Sequence, residues 1–290
     1  IEKLIIGFTE NDKEPESSSI VHIDGILVLT KTWSIGSSVL ALDLLVKIAE
    51  ETIGYINKYL SDQENGGFYG SQDADEEFYL AKPEERKKKQ YPYIDKTIYA
   101  DWNSMMISSY IKAGAVLNDK KITEFAIKTA DFILEKCHDN KNGLFHFFDG
   151  KANLSGILSD NIYFLNCLID IYFVSQNKEY LRKINEIAEF ILKNFYDDKN
   201  HGFFDRILKD EDFGTLKFRD KQFLENSFCA IVFMRLHFLT NDEKYKQAAE
   251  KTLLYFAESY LNFGYFAAMY AVAVEMLLNK VIVNELEGKN

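Results

Sequence analysis

Cysteine is scarce in this chain of 290 residues, which contains three cysteines and no CxxC pair. Each cysteine lies alone within an apolar stretch, a pattern typical of buried free thiols in a reducing compartment. The first residues also lack the basic region and sustained apolar stretch of a signal peptide. We therefore expect a cytoplasmic protein with no metal site, no dithiol site and no cofactor.

Basic residues are in the minority, with 34 Lys and Arg against 45 Asp and Glu and a net charge of −11. Nucleic acids and anionic membranes both attract basic surfaces, so we expect neither as a partner. The one basic cluster, Arg86 to Lys89, follows Glu84 and Glu85 and is typical of a solvated surface. We also expect no apolar run near the ~20 residues that a membrane span requires.

Proline is also rare, with three in the chain, and two of them lie between residues 66 and 96. This segment interrupts the apolar pattern, so we predict a long loop there, with a short helix around Pro83 to Lys89. Residues 1–21 predict a weakly structured lead-in. With 47% hydrophobic and 27% charged residues, the composition is that of a soluble globular protein. We predict a single domain over residues 1–290.

An internal repeat organises most of the chain. Apolar runs open with acidic and amide residues, and a glycine followed by aromatic or apolar residues comes 39 to 43 positions later. The openings are Asp24-Gly25, Asp101-Trp102-Asn103, Asp160-Asn161 and Glu225-Asn226, and the glycine elements begin at Gly67, Gly143, Gly202 and Gly264. A constant spacing of this kind indicates one structural unit repeated along the chain.

Each repeat predicts two helices of different character. The second helix is amphipathic, with Phe125, Ala126 and Ile133 on one face, whereas Ile162 to Val174 is apolar on nearly all sides. Short polar turns at Asn118-Asp119, Gln176-Asn177 and Asn241-Asp242 make the helices antiparallel. The pattern predicts an all-α fold, an α/α toroid whose buried inner helices start at one end of the ring.

We count about four hairpins and a closing helix, Tyr265 to Leu278, which is too few for a closed ring of six hairpins. An open ring exposes apolar flanks. We therefore expect a homo-oligomer or a partner chain that supplies the missing part of the ring.

Several motifs resemble the helical domain of the YyaL family, whose animal members are the spermatogenesis-associated thioredoxin-domain proteins. The motifs are Asp73-Ala74-Asp75, Phe78-Tyr79, Asp95-Lys96, Asp101-Trp102-Asn103, Leu158 to Phe164 and Asn226-Ser227. The resemblance implies an (α/α)6 fold similar to N-acylglucosamine 2-epimerases and six-hairpin glycosidases. These 290 residues contain no CxxC, and we expect no thioredoxin-like domain within them. Ser104 also stands where the family has glycine, and Phe223-Leu224-Glu225 replaces Pro-Ser-Gly.

Carboxylates and aromatic residues that meet at the inner-helix starts would suit sugar chemistry. One carboxyl group can donate a proton to a glycosidic oxygen while another activates water, and aromatic faces stack on sugar rings. We predict Asp75, Asp101 and Asp160 as catalytic residues. The predicted substrate-binding residues are Tyr69, Asp73, Trp102, Asn103, Glu225 and Asn226. A purely structural alternative is that Asp101, Asp160 and Glu225 are helix N-caps.

Three classes of function stay open from the sequence. The chain could process a small neutral sugar by hydrolysis or epimerisation, or bind a sugar without turnover. It could also be a non-catalytic structural subunit of a larger assembly. His146 and His201, which flank two of the glycine elements, are weaker candidates for a proton-transfer base.

Overall fold

The computed structural model describes residues 19–23, 26–30 and 35–279, with side chains from residue 43 onward. Two compact units divide the chain between Tyr59 and Leu60. In the first unit, strands β1 (Ser19–Ile23) and β2 (Ile26–Thr30) pair antiparallel, with Ser19 opposite Thr30. Helix α1 (Ile35–Tyr59) follows.

The repeat predicts a first helix after Asp24-Gly25, over Ile26 to Trp33, and this prediction is wrong because Ile26–Thr30 is a strand. Its residues, ILVLT, include β-branched side chains that favour extended backbone, and an Asp-Gly dipeptide between two such runs is a hairpin signal. Asp24 itself, the predicted helix start, lies outside the described residues.

In the second unit, the predicted long loop contains more structure than expected. Strand β3 (Ser71–Gln72) pairs antiparallel with β4 (Ile94–Asp95), and β5 (Ile98–Tyr99) follows. Between β3 and β4 lie two short helices, α2 (Glu76–Leu80) and α3 (Pro83–Arg86). Helix α3 matches the predicted short helix near Pro83, whereas α2 and the strands were not predicted.

Three helical hairpins form the body of the second unit. They are α4 (Ala100–Leu117) with α5 (Lys120–Lys136), α6 (Leu158–Ser175) with α7 (Lys178–Asn194), and α8 (Phe223–Thr240) with α9 (Glu243–Phe256). A further helix, α10 (Ala267–Asn279), packs against α8 and α9. The predicted fourth hairpin would fall before Leu60, where the structure has the strand pair and α1 instead.

The turn inside each hairpin has the same local construction. The first helix ends at a residue in the left-handed region, Asn118, Gln176 or Asn241, with φ of 52°, 52° and 57°. The next residue, Asp119, Asn177 or Asp242, caps the second helix by accepting a backbone N–H two positions on. The turns predicted from the polar dipeptides are therefore confirmed.

Two layers result from this packing. Helices α4, α6 and α8 lie side by side, and each contacts its own partner α5, α7 or α9 on the other side. Helix α6 is buried on most of its surface, including Ile162, Phe164 and Leu168. The amphipathic α7 buries only one stripe, with Ile184, Ile187 and Ile191. The α/α toroid with buried inner helices and wet outer helices is confirmed.

Short strands follow the first hairpin and lie beside the inner-helix starts. Strand β7 (Gly143–Phe148) pairs with β5, with β6 (His138–Asp139) and with β8 (Ala152–Ser155), all antiparallel. The β7 strand also contacts both α4 and α6. It therefore carries its side chains to the edge where two inner helices begin.

One stretch corrects the expectation about membrane spans, because Tyr260–Asn279 is long and apolar enough to cross a membrane by length and composition. In the structure it consists of a 3-10 helix, Tyr260–Phe266, and α10, with a break at Gly264, where φ is 56° and ψ is −128°. The 13 residues of α10 rise about 20 Å, against the ~30 Å of a bilayer core. Tyr270, Ala273 and Met276 are buried, but only 17% of the apolar window is buried in all.

Candidate functional site

A buried asparagine marks the same place in each of the three inner helices. Asn103, Asn161 and Asn226 occupy the fourth position of α4, α6 and α8, and each is at most 1% exposed. Each side-chain oxygen accepts a backbone N–H from the preceding glycine element, from Phe68 (2.7 Å), Leu144 (3.1 Å) and Phe203 (2.6 Å) respectively. We call this arrangement the asparagine clasp.

The nitrogen atoms of the clasp are also occupied. The amide of Asn103 donates to the carbonyls of Phe68 and Tyr99, and that of Asn226 donates to those of Phe203 and Gln222. The Asn161 amide donates to the carbonyl of Ile157. These bonds tie each glycine element to the helix start beside it. The predicted contacts of Asn103 and Asn226 with a substrate stay predictions, and the structure gives both amides a structural task.

A second repeated device shapes the glycine elements. An aspartate accepts backbone N–H groups two and three residues on, and the asparagine three residues on donates to its other oxygen. The pairs are Asp62 with Asn65, Asp139 with Asn142 and Asp197 with Asn200. Sequence reasoning missed this device, although the Asp-x-x-Asn spacing before each glycine signals it. Gly67, Gly143 and Gly202 then have φ of 115°, 71° and 77°, which glycine accommodates best.

The acidic residues at the helix starts are not N-caps. The N-cap positions belong to Tyr99, Ile157 and Gln222, and none of these makes a side-chain capping bond. Asp101 is the second residue of α4, whereas Asp160 and Glu225 are the third residues of α6 and α8. The structural alternative is therefore wrong as stated, although carboxylates in a first turn still face the positive end of the helix dipole.

Asp160 and His146 form a pair at the centre of the cluster. Nδ1 of His146, on β7, lies 2.9 Å from Oδ1 of Asp160, which is 0% exposed. Burial raises the pKa of the Asp160 carboxyl to about 6, although the hydrogen bond and charge of His146 act to lower it. The same hydrogen bond raises the pKa of His146 above its usual value, and burial opposes this rise. His146 was a weaker candidate in the sequence, and its partner became apparent only in three dimensions.

Glu225 is the equivalent of Asp160 in the next repeat, but its surroundings differ. Burial, together with the charges of Asp205, Asp101 and Asp160, raises the pKa of Glu225 to about 7. Sequence reasoning missed Asp205. The clasp aligns Leu144 with Phe203, so Asp205 stands at the loop position that His146 occupies one repeat earlier.

Asp101 and Trp102 complete the cluster on the α4 side. One ligand-type atom each from Asp101, His146 and Asp160 lies within 4.8 Å of the others. Trp102 is 50% exposed and its ring lies 4.8 Å from that of Tyr99, which in turn lies 5.7 Å from the His146 ring. The predicted residues Asp101, Trp102, Asp160 and Glu225 are thus brought to one end of the inner layer.

The other predicted site residues lie outside this cluster. Asp73 and Asp75 are exposed, and Asp75 caps α2 by accepting the Phe78 N–H at 2.8 Å. Tyr69 is part-buried, with Lys96 Nζ 5.6 Å from its ring centre, and burial together with the charge of Asp62 raises its pKa. His201 lies 3.3 Å from the hydroxyl of Tyr196. The roles predicted for Asp73, Asp75 and Tyr69 stay predictions.

A cavity of about 180 Å³ lies elsewhere on the second unit, between the β6 turn and α7. His138, Asn140, Glu186 and Phe190 line it. None of the clustered acids reaches it, so we place the candidate site at the inner-helix starts, where the acidic groups act on one another.

Comparison with known proteins places the sequence near one group of relatives. No model of a protein family matches the chain. Human spermatogenesis-associated protein 20 is 25% identical over 190 residues, which are 60% of this chain and 24% of that protein. An uncharacterised protein of Caenorhabditis elegans is 23% identical over 179 residues, covering 57% and 24%. The chain therefore spans about a quarter of the length of these curated relatives.

Solved structures show the same fold at low sequence identity. Cellobiose 2-epimerase from Bacillus thermoamylovorans aligns with a TM-score of 0.58 and 17% identity, over 75% of this chain and 56% of the enzyme. A D-mannose isomerase aligns with a TM-score of 0.58 and 15% identity, over 81% and 55%. A sugar epimerase from a ruminal bacterium gives 0.53 and 21%, over 69% and 50%. These similarities show the six-hairpin (α/α)6 type of fold.

Proposed function

We propose that the inner-helix starts of this YyaL-like helical domain, an (α/α)6-type toroid, form a site that binds and processes a neutral sugar. The observation that carries the proposal is the convergence of Asp101, Asp160 and Glu225, which come from three consecutive inner helices. The charges of Asp101 and Asp160 both act to raise the pKa of Glu225, which supports a common site. The names of the fold neighbours, sugar epimerases and a mannose isomerase among them, support the same substrate class.

Glu225 is our candidate for the proton donor. A carboxyl group with a pKa of about 7 is protonated in about half of the molecules at pH 7 and can give this proton to a sugar oxygen. Asp101 is part-exposed and lies on the neighbouring side of the cluster, where it can take a proton from a hydroxyl group or from water. Both glycoside hydrolysis and epimerisation need one group that gives a proton and another that accepts one.

Trp102 is our candidate for the sugar platform. Half of its surface is exposed, which is unusual for tryptophan, and Tyr99 supports its ring from one side. Aromatic rings bind the apolar face of a pyranose, while carboxylates accept its hydroxyl hydrogens. A net acidic cluster opposes phosphosugars and sugar acids, so an uncharged sugar fits best.

The test begins with binding. We would screen neutral mono- and disaccharides against the protein by saturation-transfer NMR and then follow the sugars that bind for conversion by NMR. Trp102→Ala should lose binding, whereas Glu225→Gln should bind normally and lose about 10²–10⁴-fold in turnover. Glu211→Gln, which changes an exposed glutamate, is the matched control and should change neither.

The outcomes separate the three classes of function. Binding with conversion supports a sugar-processing enzyme, and binding without conversion indicates a sugar-binding domain. If no sugar in the panel binds, the proposed substrate class is wrong, and a role as a non-catalytic structural subunit gains support.

We also propose that the protein associates through its last helices. Leu261, Tyr265 and Leu278 are 75%, 81% and 70% exposed. The first two lie in the 3-10 helix that precedes α10, and Leu278 lies in α10 itself. Large exposed apolar groups in one region usually mark an interface. Light scattering at micromolar concentration should give a mass above that of one chain, and Tyr265→Lys with Leu261→Lys should reduce it. A parent protein that is monodisperse and monomeric would contradict this proposal.

A further inference from the structure

We propose that Asp101, His146 and Asp160 bind one divalent cation of the Zn²⁺ or Mn²⁺ class. This goes beyond the proposed sugar chemistry, and it holds whether or not a sugar binds. Each of the three residues offers one ligand atom, and the three atoms lie within 4.8 Å of one another. They are carried by α4, β7 and α6, three elements that contact one another.

The distances suit a small cation. Nδ1 of His146 and Oδ1 of Asp160 are 2.9 Å apart. Two ligands with bonds of about 2.1 Å are separated by about 3 Å in octahedral geometry and by about 3.4 Å in the tetrahedral geometry typical of Zn²⁺, so this pair needs to move apart by no more than about 0.5 Å. The third ligand, Asp101, has a part-exposed carboxylate whose Oδ1 accepts the Trp102 N–H at 2.8 Å, and this carboxylate would have to turn towards the pair.

A buried oxygen supplies independent evidence. Asp160 is 0% exposed, and within the described part of the chain its Oδ2 has no partner at full hydrogen-bond geometry, although the backbone N–H of Asp101 lies near enough to lower the pKa of this carboxyl. A carboxylate oxygen that is removed from water without a donor is costly, and native proteins rarely leave one without compensation. A cation bound beside His146 would neutralise this carboxylate and satisfy its unpartnered oxygen.

The charges around the cluster favour a cation as well. Glu225 and Asp205 lie close enough to act electrostatically with Asp101 and Asp160. Within residues 43–279, none of these four carboxylates forms an ion pair with lysine or arginine. His146 is thus the cationic partner available to them within that part of the chain. A divalent ion would balance the remaining negative charge.

The ligand set selects the type of ion. Carboxylates alone suit Mg²⁺ or Ca²⁺, whereas an imidazole nitrogen favours first-row transition metals. When the ion binds, the proton on Nδ1 leaves for solvent and the nitrogen lone pair points to the metal. The Tyr99 ring, 5.7 Å from the imidazole, borders the His146 side chain.

The experiment measures metal binding directly on the full chain. After treatment with EDTA and dialysis, the protein is titrated with ZnCl2 and with MnCl2 in a calorimeter, without any sugar. We expect one equivalent to bind. His146→Gln and Asp101→Asn should each weaken binding by at least about tenfold, because each removes one of three ligands. His201→Asn, which removes a histidine outside the cluster, is the matched control and should bind as the parent does.

Three results would overturn the proposal. They are the absence of stoichiometric binding, unchanged binding in both ligand variants, and equal weakening in the His201→Asn control. Circular dichroism and melting curves confirm that each variant is folded, and His146→Gln is the safer variant because the histidine is part-exposed. Sugar binding is measured separately in the presence of EDTA, so a failure of the sugar proposal is distinguishable from a failure of the metal proposal.

Discussion

Two consecutive repeats place the same helix position in opposite electrostatic surroundings. In one repeat, the acid Asp160 faces His146. The hydrogen bond and charge of His146 act to lower the pKa of Asp160, against burial, which raises it. In the next, the acid Glu225 faces Asp205, whose charge adds to the effect of burial. The asparagine clasp is the same in both, with Asn161 and Asn226 binding the two glycine elements alike.

The two repeats therefore share the asparagine clasp but differ in the charge next to the acid. The clasp fixes where a loop meets a helix, and in these two repeats the residue two positions beyond the clasped N–H, His146 or Asp205, lies near the third residue of that helix. The loop residue is histidine in one repeat and aspartate in the next, so the charge next to the acid differs although the clasp is the same. A repeat fold can in this way present several acids in one place and give each a different pKa.

The largest effect should come from removing one asparagine of the clasp. Asn226→Ala leaves the N–H and the carbonyl of Phe203 buried without a partner. Each lost partner costs ~1–3 kcal/mol, so we expect a loss of about 2–4 kcal/mol in the free energy of unfolding. Urea denaturation measures it.

Asn185→Ala provides the control for this prediction. Asn185 is exposed on α7, and its amide donates to the carbonyl of Leu181. Its replacement should change the free energy of unfolding by less than about 0.5 kcal/mol. Equal losses in the two variants would mean that the clasp is not a special structural element.

A smaller effect should appear in the pH dependence of stability. The pKa of Glu225 is raised from 4.5 to about 7 in the folded state, so between these values the folded protein holds a proton that the unfolded chain has lost. Stability therefore falls as pH rises through this range, and the loss is complete above about pH 7. We expect a loss on the order of 2 kcal/mol, reduced from the full pKa shift because the side chain is only part-buried.

Glu225→Gln is the reference for that measurement. Because glutamine does not titrate, the difference in unfolding free energy between parent and variant isolates the contribution of this carboxyl group. We would measure urea denaturation of both proteins from pH 4 to pH 8. As pH rises, the free energy of unfolding of the parent should fall relative to that of the variant. Parallel curves would show that Glu225 has an ordinary pKa.

The smallest effect should come from replacing Asp205, the loop residue that corresponds to His146 of the preceding repeat. Asp205→Asn removes the charge next to Glu225 but keeps an acceptor for the N–H of Asp220, so the pKa of Glu225 should fall. Asp205→His should lower it further, because it introduces the imidazole that Asp160 has in the preceding repeat. The carboxyl signal of Glu225 in NMR titrations gives the pKa of each variant. A pKa that is the same in all three proteins would contradict the comparison.

Much of the architecture could be predicted from the sequence because it depends on short-range pattern. Apolar periodicity identified the inner helix Ile162 to Val174, and the polar dipeptides identified the three turns within the hairpins. The predicted starts at Asp101, Asp160 and Glu225 lie within two residues of the observed ones. The same approach was wrong before Leu60, where the apolar run after Asp24 suits a strand as well as a helix.

The sequence by itself determined that this protein is a helical repeat with acidic residues at one end of its inner layer, since helix period, turn residues and repeat spacing are local properties. Only the tertiary structure decided which of those acids are neighbours. His146 and Asp160 are fourteen positions apart, and Asp205 reaches Glu225 through a loop that the clasp holds. A pKa depends on burial and on charges within a few ångströms, and these distances exist only after the repeats have packed against one another.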